Sequence, residues 1–375
     1  MPKQGTSWRT LWRGTGAVAV LAMVLQLAGF RSGCRGICRV DSQSELQRAL
    51  PESCRAVNPE RVVFLRIPKS GTTAMTRRIE AHAPVKGFKV KKFRNWQPGA
   101  LVIGTLDPSD GTPRIRDYDF EGENVGKMVG EISSLFSKRK VFHGHVFNFV
   151  PNATTRVQDS SAVITLLREP VSRLVSEWHY SQWAVRMGQG VVRNNRLAGA
   201  LYDIAGGTSL EQCIRDPVCV DRLHLRWWCS RSTAFLCGFG PLCHPADVTK
   251  PLSQQARDLA KANLATKILA FGILDDMDQF LQTLDMKLPT FFENINDTKV
   301  EDDDRFLNHA GDNRGVRYEK PSDPSDIAKL ESICEADIEL YIFAKDLLRN
   351  RTRDCQLWVS VKHSVNKPAR KFSWL

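Results

Sequence analysis

Two stretches of this chain each run from an apolar strand pattern into the start of a helix, and they restrict the fold more than any other feature. The first is Arg61-Val62-Val63-Phe64-Leu65-Arg66-Ile67-Pro68-Lys69-Ser70-Gly71-Thr72-Thr73. The second is Val163-Ile164-Thr165-Leu166-Leu167-Arg168-Glu169-Pro170-Val171-Ser172-Arg173-Leu174-Val175-Ser176-Glu177-Trp178. A near-continuous apolar run is the pattern of a strand buried on both faces, as in a parallel sheet covered by helices. A strand that turns tightly into a helix presents free helical N–H groups to an anion. Two such turns can cradle two separated phosphates of one nucleotide.

In the first stretch Pro68 stops the strand, and Gly71 lets the backbone bend close to an anion. Lys69 places a charge ahead of the glycine, and Thr72 and Thr73 bring hydroxyls to the helix start. A Walker A loop puts its lysine after the glycine, so an ordinary ATP or GTP kinase is disfavoured. In the second stretch Arg168 ends the strand and Pro170 suits the first helical turn. Val171, Leu174, Val175 and Trp178 recur at helical spacing and form a core face. Arg168 and Ser176 can both reach a terminal phosphate, and the arginine fork pairs bidentately with phosphate oxygens. The plainer alternatives are a generic turn with a surface lysine, and an Arg-Glu pair that caps a helix.

The pair of motifs resembles the cofactor motifs of the Golgi carbohydrate sulfotransferases, above all the heparan sulfate 6-O- and 2-O-sulfotransferases. That resemblance implies a sulfotransferase fold, α/β with a P-loop-like parallel sheet flanked by helices, and 3′-phosphoadenosine 5′-phosphosulfate (PAPS) as cofactor, with no metal. It implies that Lys69 and the backbone of Ser70, Gly71, Thr72 and Thr73 bind the 5′-phosphosulfate, and that Arg168 and Ser176 bind the 3′-phosphate. Leu269 to Asp276 resembles the late strand and following helix of the family, and Asp337 to Asp346 its C-terminal helix, so the likeness spans about residues 61–350.

Transfer of a sulfuryl group to a sugar hydroxyl needs a base for the hydroxyl proton, and histidine serves near neutral pH. The segment Val141 to Phe149 has a strand pattern, with His143 and His145 two apart and so on one face. His143-Gly144-His145-Val146 is similar to the base-bearing segment of the 2-O-sulfotransferases, which implies His145 as base and His143 as its supporter or a substrate contact. The alternative is a pair of histidines hydrogen-bonded inside a sheet. Glu80, at the end of the first motif's helix, is a fallback base. Lys69 would stabilise the bridging oxygen as the bisphosphate leaves.

The chain has 375 residues, a net charge of +12 and 10 cysteines. Basic balance fits nucleic acid, an anionic membrane or an acidic polymer, and no nucleic-acid module is present in the sequence. Lys89, Lys91, Lys92 and Arg94, set among aromatic residues, are the candidate patch for an anionic glycan, with a solvated loop as the alternative; Trp183 is a weaker candidate. Cys237, Cys243 and His244 could make a metal site, but their spacing fits no standard zinc module, and disulfides suit an oxidising lumen better.

Basic residues flank an apolar run at 14–30, which is about as long as the shortest spanning helices. A cleaved signal peptide is the rival, and the resemblance favours an uncleaved anchor. The expected organisation is a cytoplasmic tail 1–13, a signal-anchor 14–30, a stem 31–60, a lumenal sulfotransferase domain 61–350 and a tail 351–375. The chain would then be a single-pass type II protein of the Golgi membrane with a lumenal catalytic domain. The sequons at Asn152, Asn296 and Asn350 agree with a lumenal domain.

The pattern along the chain predicts long loops over 84–125, helices over 195–205, 219–235 and 253–264, and an amphipathic helix from Leu330 to Leu348. Rival functions are protein-tyrosine sulfation, an unusual P-loop kinase and an inactive lumenal glycan-binding protein.

Overall fold

The structure is a computed structural model. It describes residues 54–92, 105–106, 113–114, 140–144, 161–186, 208–238, 242–244, 247, 249–300 and 320–365. The run at 14–30, the sequon at Asn152, the predicted helix at 195–205, Arg94 and His145 lie outside these residues. Among the described residues no helix is long and apolar enough to cross a membrane.

The chain begins with strand β1 (Arg61–Leu65), helix α1 (Thr72–Lys86) and strand β2 (Lys89–Lys92). A short ribbon follows, β3 (Thr105–Leu106) against β4 (Pro113–Arg114). Strand β5 (Lys140–Gly144), strand β6 (Ser161–Leu167) and helix α2 (Pro170–Arg186) come next. Four short helices follow: α3 (Leu210–Arg215), α4 (Pro217–Arg222), α5 (Leu225–Cys229) and α6 (Arg231–Cys237). The last third holds α7 (Gln254–Thr266), β7 (Ala270–Ile273), α8 (Met277–Lys287), α9 (Pro289–Phe292), α10 (Pro324–Ile333) and α11 (Glu335–Val365).

Among the described residues the main sheet has five strands in the order β2-β5-β1-β6-β7, and every pairing is parallel. Strand β1 is central, and all five of its residues are buried. Alternation along the strands divides the apolar residues between two cores. Val62, Phe64, Val141, Ile164 and Leu166 pack with Met75 and Ile79 of α1 and Phe280 and Leu284 of α8. Leu65, Leu167, Phe271 and Ile273 pack on the opposite face with Leu174 and Trp178 of α2 and with the short helices. The sheet thus has helices on both faces, as the sequence pattern predicts for parallel strands.

Three elements differ from the sequence expectation. Lys89 to Lys92, placed there in a long loop, form the edge strand β2. Only Val90 of this strand packs on the apolar core, so its alternation signal is weak. The helix expected over 219–235 is three helices. His224 takes a left-handed conformation (φ 51°), which breaks α4 from α5, and Ser230 separates α5 from α6. The helix expected from Leu330 to Leu348 is interrupted at Cys334, whose sulfur is bonded to Cys229 of α5.

Among the described residues every cysteine is paired: Cys54–Cys355, Cys213–Cys219, Cys229–Cys334 and Cys237–Cys243. Cys237 and Cys243 therefore carry no free thiolates for a metal, and the His244 imidazole makes a 2.9 Å hydrogen bond with the Gly238 carbonyl instead. No group of three or more His, Cys, Asp or Glu side chains among the described residues is placed to hold a metal ion.

Candidate active site

The central strand sends its chain to opposite sides of the sheet: β1 is followed by β2 beyond β5, whereas β6 lies on its other flank. Ligands of open α/β sheets bind at the carboxyl ends of the strands at such a switch point. The turn after β1, the end of β5 and the turn after β6 all meet this edge.

The turn after β1 has an unusual backbone. Lys69 and Gly71 both adopt left-handed conformations, with φ of 63° and 73°. Gly71 is required here, because a Cβ would lie 2.3 Å from Leu274 Cδ1. Left-handed residues turn successive N–H groups inward and make an anion-binding concavity. No side chain caps the start of α1, so its first N–H groups are not taken by a cap. The Ser70 hydroxyl is fully buried and has no hydrogen-bond partner. A buried polar atom without a partner costs about 1–3 kcal/mol unless a ligand satisfies it. The Lys69 carbonyl accepts a 3.2 Å hydrogen bond from Arg168, which ties the two motifs together.

The Lys69 ammonium lies 4.1 Å from the centroid of the Tyr180 ring. Burial lowers its pKa to about 8, with Glu177 opposing and Arg168 assisting the shift. Arg66 donates to the Thr73 hydroxyl at 3.2 Å. Burial also lowers the Arg66 pKa, and the Glu80 carboxylate opposes that shift.

The turn after β6 is built differently. The Glu169 carboxylate accepts from the backbone N–H of Val171 at 3.0 Å and of Ser172 at 2.9 Å. The Ser172 hydroxyl and the Lys320 ammonium also donate to it. The chain's own carboxylate therefore occupies the N-terminus of α2, as in the capping alternative. Of the residues the sequence singled out here, Arg168 stands at the strand end and Ser176 is buried about one and a half turns along the helix.

Strand β5 places His143 beside β1, in register with Phe64 and, on its other side, with Lys92. The imidazole is buried, and its Nε2 lies 3.6 Å from a Glu80 carboxylate oxygen. Sequence reading thus named two residues, His143 and the fallback base Glu80, that the fold brings together. Lys89 and Lys91 alternate with Val90, whose side chain packs against the α1 core, so they stand on the other face of β2. Of the candidate basic patch, Lys89 and Lys91 thus share one face of an edge strand rather than lying in a loop. Trp183 lies in α2, one turn beyond Tyr180. Asn296 and Asn350 are exposed, and the Thr298 hydroxyl of the first sequon shares a 2.6 Å hydrogen bond with His82.

Sequence reading missed the stripe Arg173, Glu177 and Tyr180 of α2. Their spacing of four and three residues puts them on one helix face. Arg173 is fully buried, donates to Glu177 at 2.9 Å and to the Trp228 carbonyl, and lies 3.5 Å from Asp337 of α11. Glu177 also pairs with Arg231 of α6. The spacing was visible in the sequence, but the partners that bury Arg173 and Glu177 lie on other elements, so the local pattern did not set the stripe apart.

Residues 56–198 match the family model described as Sulfotransferase family. The chain is similar to heparan sulfate 2-O-sulfotransferase 1 of Mus musculus, 23% identical over 156 residues that cover 42% of this chain and 39% of that protein. It is similar to heparin sulfate O-sulfotransferase of Drosophila melanogaster, 26% identical over 157 residues covering 41% and 40%. The match to heparan sulfate 2-O-sulfotransferase 1 of Xenopus laevis is 23% identical over 221 residues, covering 58% and 56%. The aligned part thus spans about two fifths of the length of the first two relatives.

Proposed function

We propose, from the match of residues 56–198 to the sulfotransferase family model, that this chain is an enzyme that moves a sulfuryl group from PAPS to a hydroxyl of an anionic polysaccharide of the heparan sulfate type. The observation that carries this reading is the turn after β1: two left-handed residues, the buried Ser70 hydroxyl without a partner and the desolvated Lys69 ammonium, all at the carboxyl edge beside His143.

The residues fit the cofactor. The turn from Lys69 to Thr73 would hold the 5′-phosphosulfate through backbone N–H groups and the Ser70 hydroxyl. Arg168 and Ser176 would hold the 3′-phosphate, since Glu169 already takes the N–H groups of α2. PAPS supplies an activated sulfuryl group whose leaving oxygen belongs to a phosphate. Lys69 would neutralise charge on that oxygen, which is where negative charge grows as the S–O bond breaks. His145 would take the proton of the acceptor hydroxyl while its oxygen bonds to sulfur. His143, with Glu80 beside its Nε2, would support that base.

The relatives' names carry the acceptor class, and the net charge of +12 supports an anionic one. The four disulfides and two exposed sequon asparagines among the described residues support a lumenal domain, and the apolar run at 14–30 supports a Golgi type II anchor.

The test is calorimetric titration of the chain with 3′,5′-bisphosphoadenosine and with ATP, without added metal. Tight binding of the bisphosphate and weak binding of ATP is the expected result. A preference for ATP with magnesium would sink the assignment. Transfer assays on a polysaccharide panel and on an acidic tyrosine peptide then identify the acceptor, and loss of turnover in His145→Ala with intact bisphosphate binding identifies the base.

A further inference from the structure

Lys69 has an ordinary way to fail. A lysine side chain has four rotatable bonds and a strongly hydrated ammonium, so on a surface turn it samples many directions. Here three constraints act on it. Its own backbone is left-handed, and its carbonyl is held by Arg168. Burial strips water from the ammonium, the Glu177 carboxylate acts on it from α2, and the Arg168 guanidinium acts on it from the end of β6. The ring of Tyr180, also on α2, lies with its centroid 4.1 Å from Nζ.

Tyr180 is 40% exposed, although it is among the larger apolar side chains of the domain. It is thus not placed to fill the core. The ladder beneath it fixes its position. Arg173 and Glu177, seven and three residues before it on the same face of α2, are locked by buried contacts to Trp228, Arg231 and Asp337. Those contacts set the rotation of α2 about its axis, and with it the place of the ring.

We propose that Tyr180 is the positioning residue for Lys69: its ring face holds the ammonium at the mouth of the turn after β1, aimed at the oxygen that leaves during transfer. A ring face attracts a cation through its quadrupole, and the attraction grows when water is removed. Holding the ammonium there in advance removes the reorganisation that transfer would otherwise require. This inference rests on the sulfotransferase reading for its consequence, but not for its geometry.

The geometry is tested without turnover. Lysine amines of the full chain are labelled competitively with trace acetic anhydride across a pH series, and the Lys69 peptide is read by mass spectrometry. Wild type, Tyr180→Phe and Tyr180→Leu are compared. Phenylalanine keeps the quadrupole, so its midpoint stays with wild type. Leucine keeps an apolar cover without the quadrupole, so the midpoint falls by about half a pH unit. A midpoint that rises toward an ordinary lysine in the leucine variant, or that is the same in all three proteins, overturns the proposal.

The consequence is read from kinetics. Tyr180→Leu is expected to lower kcat about fivefold with the KM for PAPS and the affinity for bisphosphoadenosine unchanged, and Tyr180→Phe to restore kcat. Unchanged kcat in the leucine variant overturns the proposal. A chain that labels as predicted but transfers no sulfuryl group to any acceptor overturns the functional reading and leaves the Tyr180 geometry standing.

Discussion

The two strand-to-helix turns look like a repeat in the sequence, and the fold makes them opposites. The turn after β1 leaves its helix N-terminus uncapped, strains its backbone at Lys69 and Gly71, and buries a hydroxyl with no partner. The turn after β6 has no left-handed residue, and the carboxylate of Glu169 fills its helix N-terminus. One turn is built for an anion from outside, and the other already contains its own. Strain and unsatisfied groups are tolerated where function uses them, so under the proposed function the chemistry belongs to the first turn and an anchoring role to the second.

The largest effect expected from this contrast is at Lys69. Lys69→Ala should lower kcat about a thousandfold, while the melting temperature moves by only a few degrees. With its pKa near 8, Lys69 loses its charge as pH rises through that value, so kcat/KM should fall above about pH 8. Lys69→Arg, which keeps its charge, should remove that basic limb even if its rate is low. A limb that persists in the arginine variant would assign it to another group.

Next is Gly71→Ala, which forces a side chain into a left-handed position and against Leu274. A loss of about 1–3 kcal/mol in urea unfolding is expected, together with weakened bisphosphate binding. Wild-type stability would mean that Leu274 swings away and that the turn is less constrained than its backbone indicates.

Arg168→Ala sharpens the division of labour. Loss of a charged hydrogen-bond donor should weaken 3′,5′-bisphosphoadenosine by about 1.5–3 kcal/mol, or roughly ten- to a hundredfold. Adenosine 5′-phosphate, which lacks the 3′-phosphate, should bind wild type and variant nearly alike. Equal weakening of both ligands would move Arg168 to the first phosphate.

The smallest effect is at Glu169. Its burial favours the neutral carboxyl, but hydrogen bonds from Lys320, Ser172 and Val171 outweigh burial and hold its pKa below the usual value. A depressed carboxyl stabilises the fold above its unfolded pKa, about 4.3, and that contribution is lost as pH falls through the folded value. Glu169→Gln should therefore cost about 1 kcal/mol near neutral pH, with the gap to wild type closing in acid. A gap that stays constant down to pH 3 would show that packing, not charge, carries the effect.

Much of this architecture was legible because burial on both faces leaves a plain signal. The strands at 61 and 162 and the helix after Pro170 are long apolar runs with proline and glycine as punctuation, and they appear in the fold within a few residues. Strand β2 was not legible, since three of its four residues are lysines and its pairing with β5 is a backbone matter. The breaks at His224 and Cys334 were hidden for a different reason. One is a left-handed residue that is not glycine, and the other is pinned by a disulfide to Cys229, far away in sequence. At the site, Lys69, Gly71 and Arg168 could be named from local pattern. The contacts of Tyr180 with Lys69 and of Glu80 with His143 join separate elements, so periodicity within one element could not show them.

The bond between Cys54 and Cys355 joins positions 301 residues apart. Val57, three residues after that bond, donates to the carbonyl of Lys287, where α8 has run back to the amino edge of the sheet. The chain therefore enters the domain, and its long last helix is fastened, away from the loops that gather around Lys69. A domain closed in this way has two unlike sides: one stapled, where its first described residues and its last helix are fastened together, and one at the carboxyl edge, where the turn with Lys69 lies free of that staple.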